Sequence, residues 1–255
     1  MQILQQIPSA SIDTVFADPP FNLAKSYGPG CSDDLTELDY VVWCHKWIDE
    51  CIRVLKPGGS FFCYNIPKWN IRLGSYLMDA GLVFRHDIAI EQKNGMPIAN
   101  KLFPAHYSLL YFSKGRQNTF NKIRTPVELC RHCDGEIRDY GGHRDSMNEN
   151  GVSLKDVWTD ITPVRHKKYQ NEKRKANALS TKILDRVVEM STNVGDVVLD
   201  PFGGSGTTYA VCESKGRRWI GIEIDFCDAI IDRLANNTVE AHLNTDIVQN
   251  IKTNA

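Results

Sequence analysis

Apolar and polar positions along the first half of the chain switch between two periods, and each switch marks an element. Residues 12–17 form a short apolar run. From Tyr40, the residues Tyr40, Trp43, Trp47, Cys51 and Val54/Leu55 recur every three or four positions, which predicts an amphipathic helix. Lys56-Pro57-Gly58-Gly59 is expected to stop it. Residues 60–64 (Ser-Phe-Phe-Cys-Tyr) then read as a buried strand, 69–79 as a helix closed by Gly81, and 82–90 and 107–112 as strands. Residues 2–10 read as the end of a helix and a turn.

From 113 to about 177 the periodicity fades, and Gly141-Gly142 and residues 148–151 mark turns. So long a stretch without regular elements predicts a small subdomain or a recognition insert rather than a connection. Pattern returns at Ser180. Ile183, Leu184, Val187, Val188 and Met190 share a helix face, with Ser180 or Thr181 as N-cap. A strand over 197–200, a helix to about 214, a strand over 219–223 and a helix from Cys227 follow, and the polar residues 236–255 are expected to fray. Short strands alternating with helices predict an α/β fold with a doubly wound, mostly parallel sheet. The expected division is 1–113, an insert at 114–176, a second half at 177–235 and a tail at 236–255.

Composition changes this picture in one respect. The net charge of −1 conceals an asymmetry: residues 114–175 carry 14 Lys/Arg against 9 Asp/Glu, and the rest of the chain 16 against 22. That distribution suits a protein that touches a polyanion with one face. No apolar stretch approaches the ~20 residues of a membrane span and the N-terminus lacks a signal-peptide pattern, so no membrane partner and a cytoplasmic location are expected. The eight scattered cysteines read mostly as buried, reduced thiols.

Two stretches carry chemistry. Asp18-Pro19-Pro20-Phe21 follows the first strand. Proline fixes its own φ and biases the residue before it towards extended geometry, so Asp18 is presented at a strand end with little freedom. The prolines leave carbonyl acceptors without competing N–H donors, and Phe21 adds a flat apolar surface. The corner suits a planar ligand. The second stretch, Asp200-Pro-Phe-Gly-Gly-Ser-Gly-Thr-Thr, joins a strand to a helix, where glycines let a ligand approach the backbone. It is neither G-x-G-x-x-G nor a P-loop. Glu223, at the end of the next strand and 20 residues beyond Gly203, is placed to accept the ribose hydroxyls of an adenosine. A nucleoside without a triphosphate cradle remains, and S-adenosylmethionine fits, its cationic sulfonium and amine favoured by Asp18 and Asp200.

The pair DPPF and DPFGGSGTT, in that order, resembles the β-type amino-methylating DNA methyltransferases, whose catalytic half precedes the cofactor half. The resemblance extends to Leu55-Lys-Pro-Gly-Gly, Lys93-Asn-Gly-Met-Pro, the 107–112 strand and the helix leading into Gly-Asp-x-Val-Leu-Asp-Pro-Phe. It implies a permuted Rossmann-like domain that moves a methyl group from S-adenosylmethionine to an exocyclic amine of a base flipped out of double-stranded DNA. Asp18 and the Pro19 carbonyl would accept the amine's hydrogens, Pro20 would complete the corner, and Phe21 would stack on the base. An Asp-led motif implies adenine N6, a Ser-led one cytosine N4. By position, Phe202, Gly203, Ser205, Gly206, Thr207 and Thr208 would surround the cofactor, with Asn177 and Leu179 at its methionine end. The resemblance also admits a homodimer and a cognate restriction enzyme as partners.

The chain departs from the family at its start, where a strand ending in Gly-Asp is usual. Either that edge strand is absent or residues 242–248 replace it. Within the insert, Arg165, Lys167, Lys168 and Arg174 belong to the densest basic run, read either as phosphate contacts or as a solvated loop. Cys130-Arg-His-Cys133 has the spacing of half a zinc site, but no second Cys-x-x-Cys exists, so no metal is expected. Two other readings stay open: a methyltransferase for RNA or a protein amide, which usually has an Asn-led corner after the cofactor motif, and a non-catalytic nucleic-acid-binding regulator.

Overall fold

The computed structural model describes residues 1–25, 33–93, 97–127, 129, 141–148, 150–162, 179–224 and 227–235. The elements in chain order are α1 (Gln2–Gln6), β1 (Ile12–Ala17), α2 (Glu37–Val54), β2 (Leu55–Asn65), α3 (Pro67–Asp79), β3 (Val83–Glu91), β4 (His106–Ser113), β5 (Arg124–Thr125), a 3-10 turn (Arg144–Ser146), β6 (Val152–Ser153), β7 (Val157–Trp158), α4 (Thr181–Ser191), β8 (Val197–Asp200), α5 (Thr207–Ser214), β9 (Arg218–Gly221) and α6 (Cys227–Ala235). Seven strands form one sheet in the order β7-β3-β4-β2-β1-β8-β9, and β5 pairs with β6 apart from it.

The sheet is parallel where the two motifs lie: β1 pairs in parallel with both β2 and β8, and β8 with β9. The sheet is mostly parallel, as expected, and its exception is β4, which runs antiparallel to β2 and to β3. The chain between β3 and β4 turns straight back instead of crossing the sheet through a helix, so the next strand must reverse. From β1 the chain winds one way through α2 to β2, and from β8 the other way through α5 to β9. Right-handed crossovers in opposite directions place their helices on opposite faces. Accordingly α2 and α3 cover Val15, Ala17, Phe61 and Cys63, whereas α4 and α5 cover Phe16, Phe62 and Val198. The direction reverses between β1 and β8, and the crevice beyond the strand ends at such a point is where open α/β sheets bind ligands.

The Lys-Pro-Gly-Gly stretch lies within β2 rather than in a turn outside it. Ile12 pairs with Leu55 and Thr14 with Ser60, so the extra residues are absorbed as an irregularity. Gly58 has φ +78°, and a Cβ there would stand 2.2 Å from Asn118 Oδ1. Ser180 sits at the N-cap of α4, but its side chain makes no capping bond; its carbonyl accepts from Ile183 N at 3.1 Å.

The segment expected to lack regular structure is stitched into the domain at both of its described ends. Ile123, Trp158 and Ile161 are buried in the α4 face of the core, and β7 extends the main sheet beside β3. Asn121 donates to the Glu189 and Thr192 carbonyls at the end of α4. Two-residue strands are too short to show a period, which is why the pattern hid them. No described helix is long and apolar enough to cross a membrane. Of the described cysteines, Cys44, Cys51, Cys63 and Cys212 are buried thiols and Cys227 is exposed.

Candidate active site

Asp18 and Asp200 stand just beyond or at the carboxyl ends of adjacent parallel strands, with Val15 level with Leu199. Around Asp18 the backbone is held from several sides. The Tyr40 hydroxyl donates to the Pro20 carbonyl at 2.6 Å, and Asn65 Nδ2 donates to the Tyr40 hydroxyl at 3.1 Å. Trp69 Nε1 donates to the Phe21 carbonyl at 2.7 Å. Beyond the corner, the buried Asp33 carboxylate accepts from the backbone of Asn22, Leu23 and Lys25 at 2.6, 3.0 and 3.1 Å. Asn22 exchanges two further bonds with the backbone of Leu35. A charged acceptor serving three N–H groups suits a turn in which Asn22 and Ala24 adopt positive φ.

These ties narrow the expected set of free acceptors. The Pro20 carbonyl belongs to Tyr40. Among the described residues no donor reaches the Pro19 carbonyl or the Asp18 carboxylate. Asp18 is half-buried. Desolvation raises its pKa well above the ordinary carboxylate range, the Asp200 charge raises it further, and Lys25 opposes both. Phe21 is tilted against Tyr64 and Tyr107, each ring centre 5.9 Å from its own, and the two tyrosines are 5.2 Å apart. Burial, then the Asp18 charge, raises the pKa of both phenols. Two open acceptors beside an aromatic wall can hold a planar group through its N–H donors.

Asp200 differs from the expectation of a carboxylate facing a cation. It is 3% exposed, accepts from Thr208 Oγ1 at 2.5 Å and from Phe202 N at 3.0 Å, and so braces the turn from within. Burial raises its pKa to about 6 against the lowering effect of those bonds. The ring of Phe202 packs edge-on to Trp47 and tilted to Trp43. Gly203 and Gly221 flank the buried Tyr209 hydroxyl, which would lie 1.9 and 2.3 Å from a Cβ at either position. Gly204, at φ +51°, has nothing nearer than 3.9 Å to such an atom, so its backbone faces open space. Glu223 lies two residues past β9 and holds that open turn by accepting from Gly204 N at 2.6 Å. Ser205 and Thr207 hydroxyls are 3.3 Å apart, and Arg233 donates to Thr207 at 2.9 Å. Gly206, with φ +73°, is the N-cap of α5.

The fold therefore brings Asp18 to Phe21 and Asp200 to Glu223 to one end of the sheet. Leu179 packs at the edge of the α4 core, just ahead of that helix. Asn177, Arg165, Lys167, Lys168, Arg174, Cys130, Cys133 and residues 242–248 lie outside the described residues. Sequence reasoning missed Asp33, Tyr40, Asn65 and Trp69. Only Asn65 left a signal, as a polar residue closing the apolar run of β2 beside the strand that delivers Asp18.

Comparison with known proteins agrees with this architecture. Residues 12–230 match the family model described as DNA methylase, which groups the N6 and N4 methyltransferases. The chain is 55% identical over 244 residues to the type II methyltransferase M.BamHI of Bacillus amyloliquefaciens, covering 95% of this chain and spanning 57% of the length of that relative. Among solved structures it is similar to the PvuII DNA methyltransferase (cytosine-N4-specific), with TM-score 0.65, 20% identity, and 94% and 83% of the two chains covered. It is also similar to the M1.HpyAVI–SAM complex, with TM-score 0.58, 20% identity, and 91% and 92% covered. With the family match running from the first strand of the sheet into the last described helix, the chain belongs to the N6/N4 DNA methylase family.

Proposed function

We propose that the protein methylates the exocyclic amine of a base in double-stranded DNA, adenine N6 by the Asp-led form of its motif, with S-adenosylmethionine as donor. The observation that carries this reading is a pair of acceptors, the Asp18 carboxylate and the Pro19 carbonyl, that no donor among the described residues reaches, beside the Phe21, Tyr64 and Tyr107 rings.

The residues around the glycine turn fit the donor. Gly204 leaves backbone open to a ligand, and Glu223, which accepts from Gly204 and Ile224, places a carboxylate beside that turn where the ribose hydroxyls would lie. S-adenosylmethionine would supply an electrophilic methyl on a sulfonium. An aromatic amine is a poor nucleophile because its lone pair is delocalised into the ring. Hydrogen bonds to Asp18 and to the Pro19 carbonyl would draw the nitrogen towards tetrahedral geometry and localise that pair, and the tied backbone around them fixes the approach. The raised pKa of Asp18 suits it to take the surplus proton after transfer. Phe21 would stack on the extruded base.

The basic run containing Arg165, Lys167, Lys168 and Arg174 is assigned to phosphate contact. The same reading places the protein in the cytoplasm, with a second copy of itself and an endonuclease cutting the same site as further candidate partners. Sequencing that detects modified bases in DNA from cells expressing the protein tests it directly. N6-methyladenine in one sequence context is expected. N4-methylcytosine would overturn the choice of base and keep the transfer, and unmodified DNA would sink the reading.

A further inference from the structure

The connection between β3 and β4 is closed at its base by the Glu91–His106 pair and by Gln92 N donating to the Ala105 carbonyl at 2.7 Å. Beyond that closure the chain presents apolar side chains to water: Leu102 is 94% exposed, Ile98 49% and Phe103 46%. Scattered exposed leucines need no explanation, but these share one short loop. The loop runs directly into Tyr107, whose ring meets Phe21. Leu102 is five positions before Tyr107, so it stands within about 17 Å of chain from the aromatic wall. Lys93 precedes the apolar residues and Lys101 stands between Ile98 and Leu102, His106 stands at the base, and Glu91 is the acid beside it.

We propose that this loop is a wedge for duplex DNA, with Leu102 entering the stack where the target base leaves it and Phe103 supporting it. The proposal rests on the DNA-methylating reading of the site. Extruding a base leaves a gap between flat apolar faces, and an apolar side chain that fills the gap offsets part of the cost of unstacking. Lys93 and Lys101 would meet phosphates beside the wedge.

The test uses the full chain with the double substitution Leu102→Ser and Phe103→Ser. Its substrates are duplexes carrying the site that base-modification sequencing identifies, once fully paired and once with the target base mispaired. Because Leu102 is exposed, the melting temperature and S-adenosylmethionine affinity of the variant should match the parent. The single-turnover rate on the paired duplex should fall roughly tenfold and recover on the mispaired one, where extrusion is cheaper. An unchanged rate on the paired duplex overturns the proposal, as does an equal loss on both substrates. Parent protein that modifies neither duplex overturns the methylating reading itself, which separates the two failures.

Discussion

Two Asp-Pro dipeptides end adjacent parallel strands, and the fold uses them in opposite ways. At Asp18 the neighbouring backbone is tied down by Tyr40, Trp69 and Asp33 while, among the described residues, no donor reaches the carboxylate. At Asp200 the carboxylate itself is the tie, one oxygen accepting from Thr208 and the other from Phe202, and the residue is closed from water. Both have raised pKa values because burial penalises the charge. Of the two, only Asp18 is reachable from outside and without a donor among the described residues. The same dipeptide in the same setting thus gives an open carboxylate in one case and a structural brace in the other, and the difference lies in which donors the surrounding elements deliver.

Removing each carboxylate should separate the two roles. Asp18→Ala should reduce methyl transfer on the order of 10³-fold, the scale of losing one preorganised polar group at a reacting centre. Its melting temperature should stay close to the parent's, because no protein donor is orphaned. Substantial activity measured with radiolabelled donor would remove Asp18 from the chemistry. Asp200→Ala should do the reverse. It strands the Thr208 hydroxyl and the Phe202 amide, and a loss of about 2 kcal/mol would lower the melting temperature by roughly 4–8 °C.

Asp200→Asn sharpens the contrast through pH. The folded pKa of Asp200, about 6, lies above the unfolded value, so its contribution to stability is full below the unfolded value and is lost as pH rises through about 6. The asparagine variant lacks that titration, and the difference between the two melting curves should follow it. Because the Asp200 charge also raises the Asp18 pKa, the acid limb of the activity profile should move to lower pH in this variant. An unmoved limb would mean that the two carboxylates do not communicate.

How far each role could be read from sequence follows the range of the forces involved. Asp18, its prolines and the glycine turn after Asp200 are governed by local backbone rules, so they were legible, as was the α/β alternation. The reversal of β4 was not, because an apolar run has no direction. β7 was hidden by its two-residue length. Tyr40 and Trp69 read only as core positions of helices, since their periodicity reports burial and says nothing of a polar tip reaching 20 or 48 residues back. The distinction between the two aspartates was beyond reach for the same reason: it depends on donors brought by other elements.

Tyr40→Phe tests the smallest of these effects, on the Asp18 side of the comparison. The substitution keeps the ring, which packs 4.5 Å from that of Trp69, and removes only the hydroxyl bridging Asn65 and the Pro20 carbonyl. A buried polar group left unpaired, here the Asn65 amide, costs about 1–3 kcal/mol, so some stability will be lost. A structural role alone would stop there. If the hydroxyl positions the corner, the freed Pro20 carbonyl competes with that of Pro19 for the incoming amine, and kcat should fall roughly tenfold, the scale of about 1.4 kcal/mol in the barrier. Cofactor affinity should not change, because Tyr40 makes no bond to the glycine turn. The acid limb of the pH profile should stay in place as well, since the Asp18 environment keeps its charges. A parallel fall in cofactor affinity, or stability lost with kcat intact, would show that Tyr40 supports the fold without aiming the acceptors.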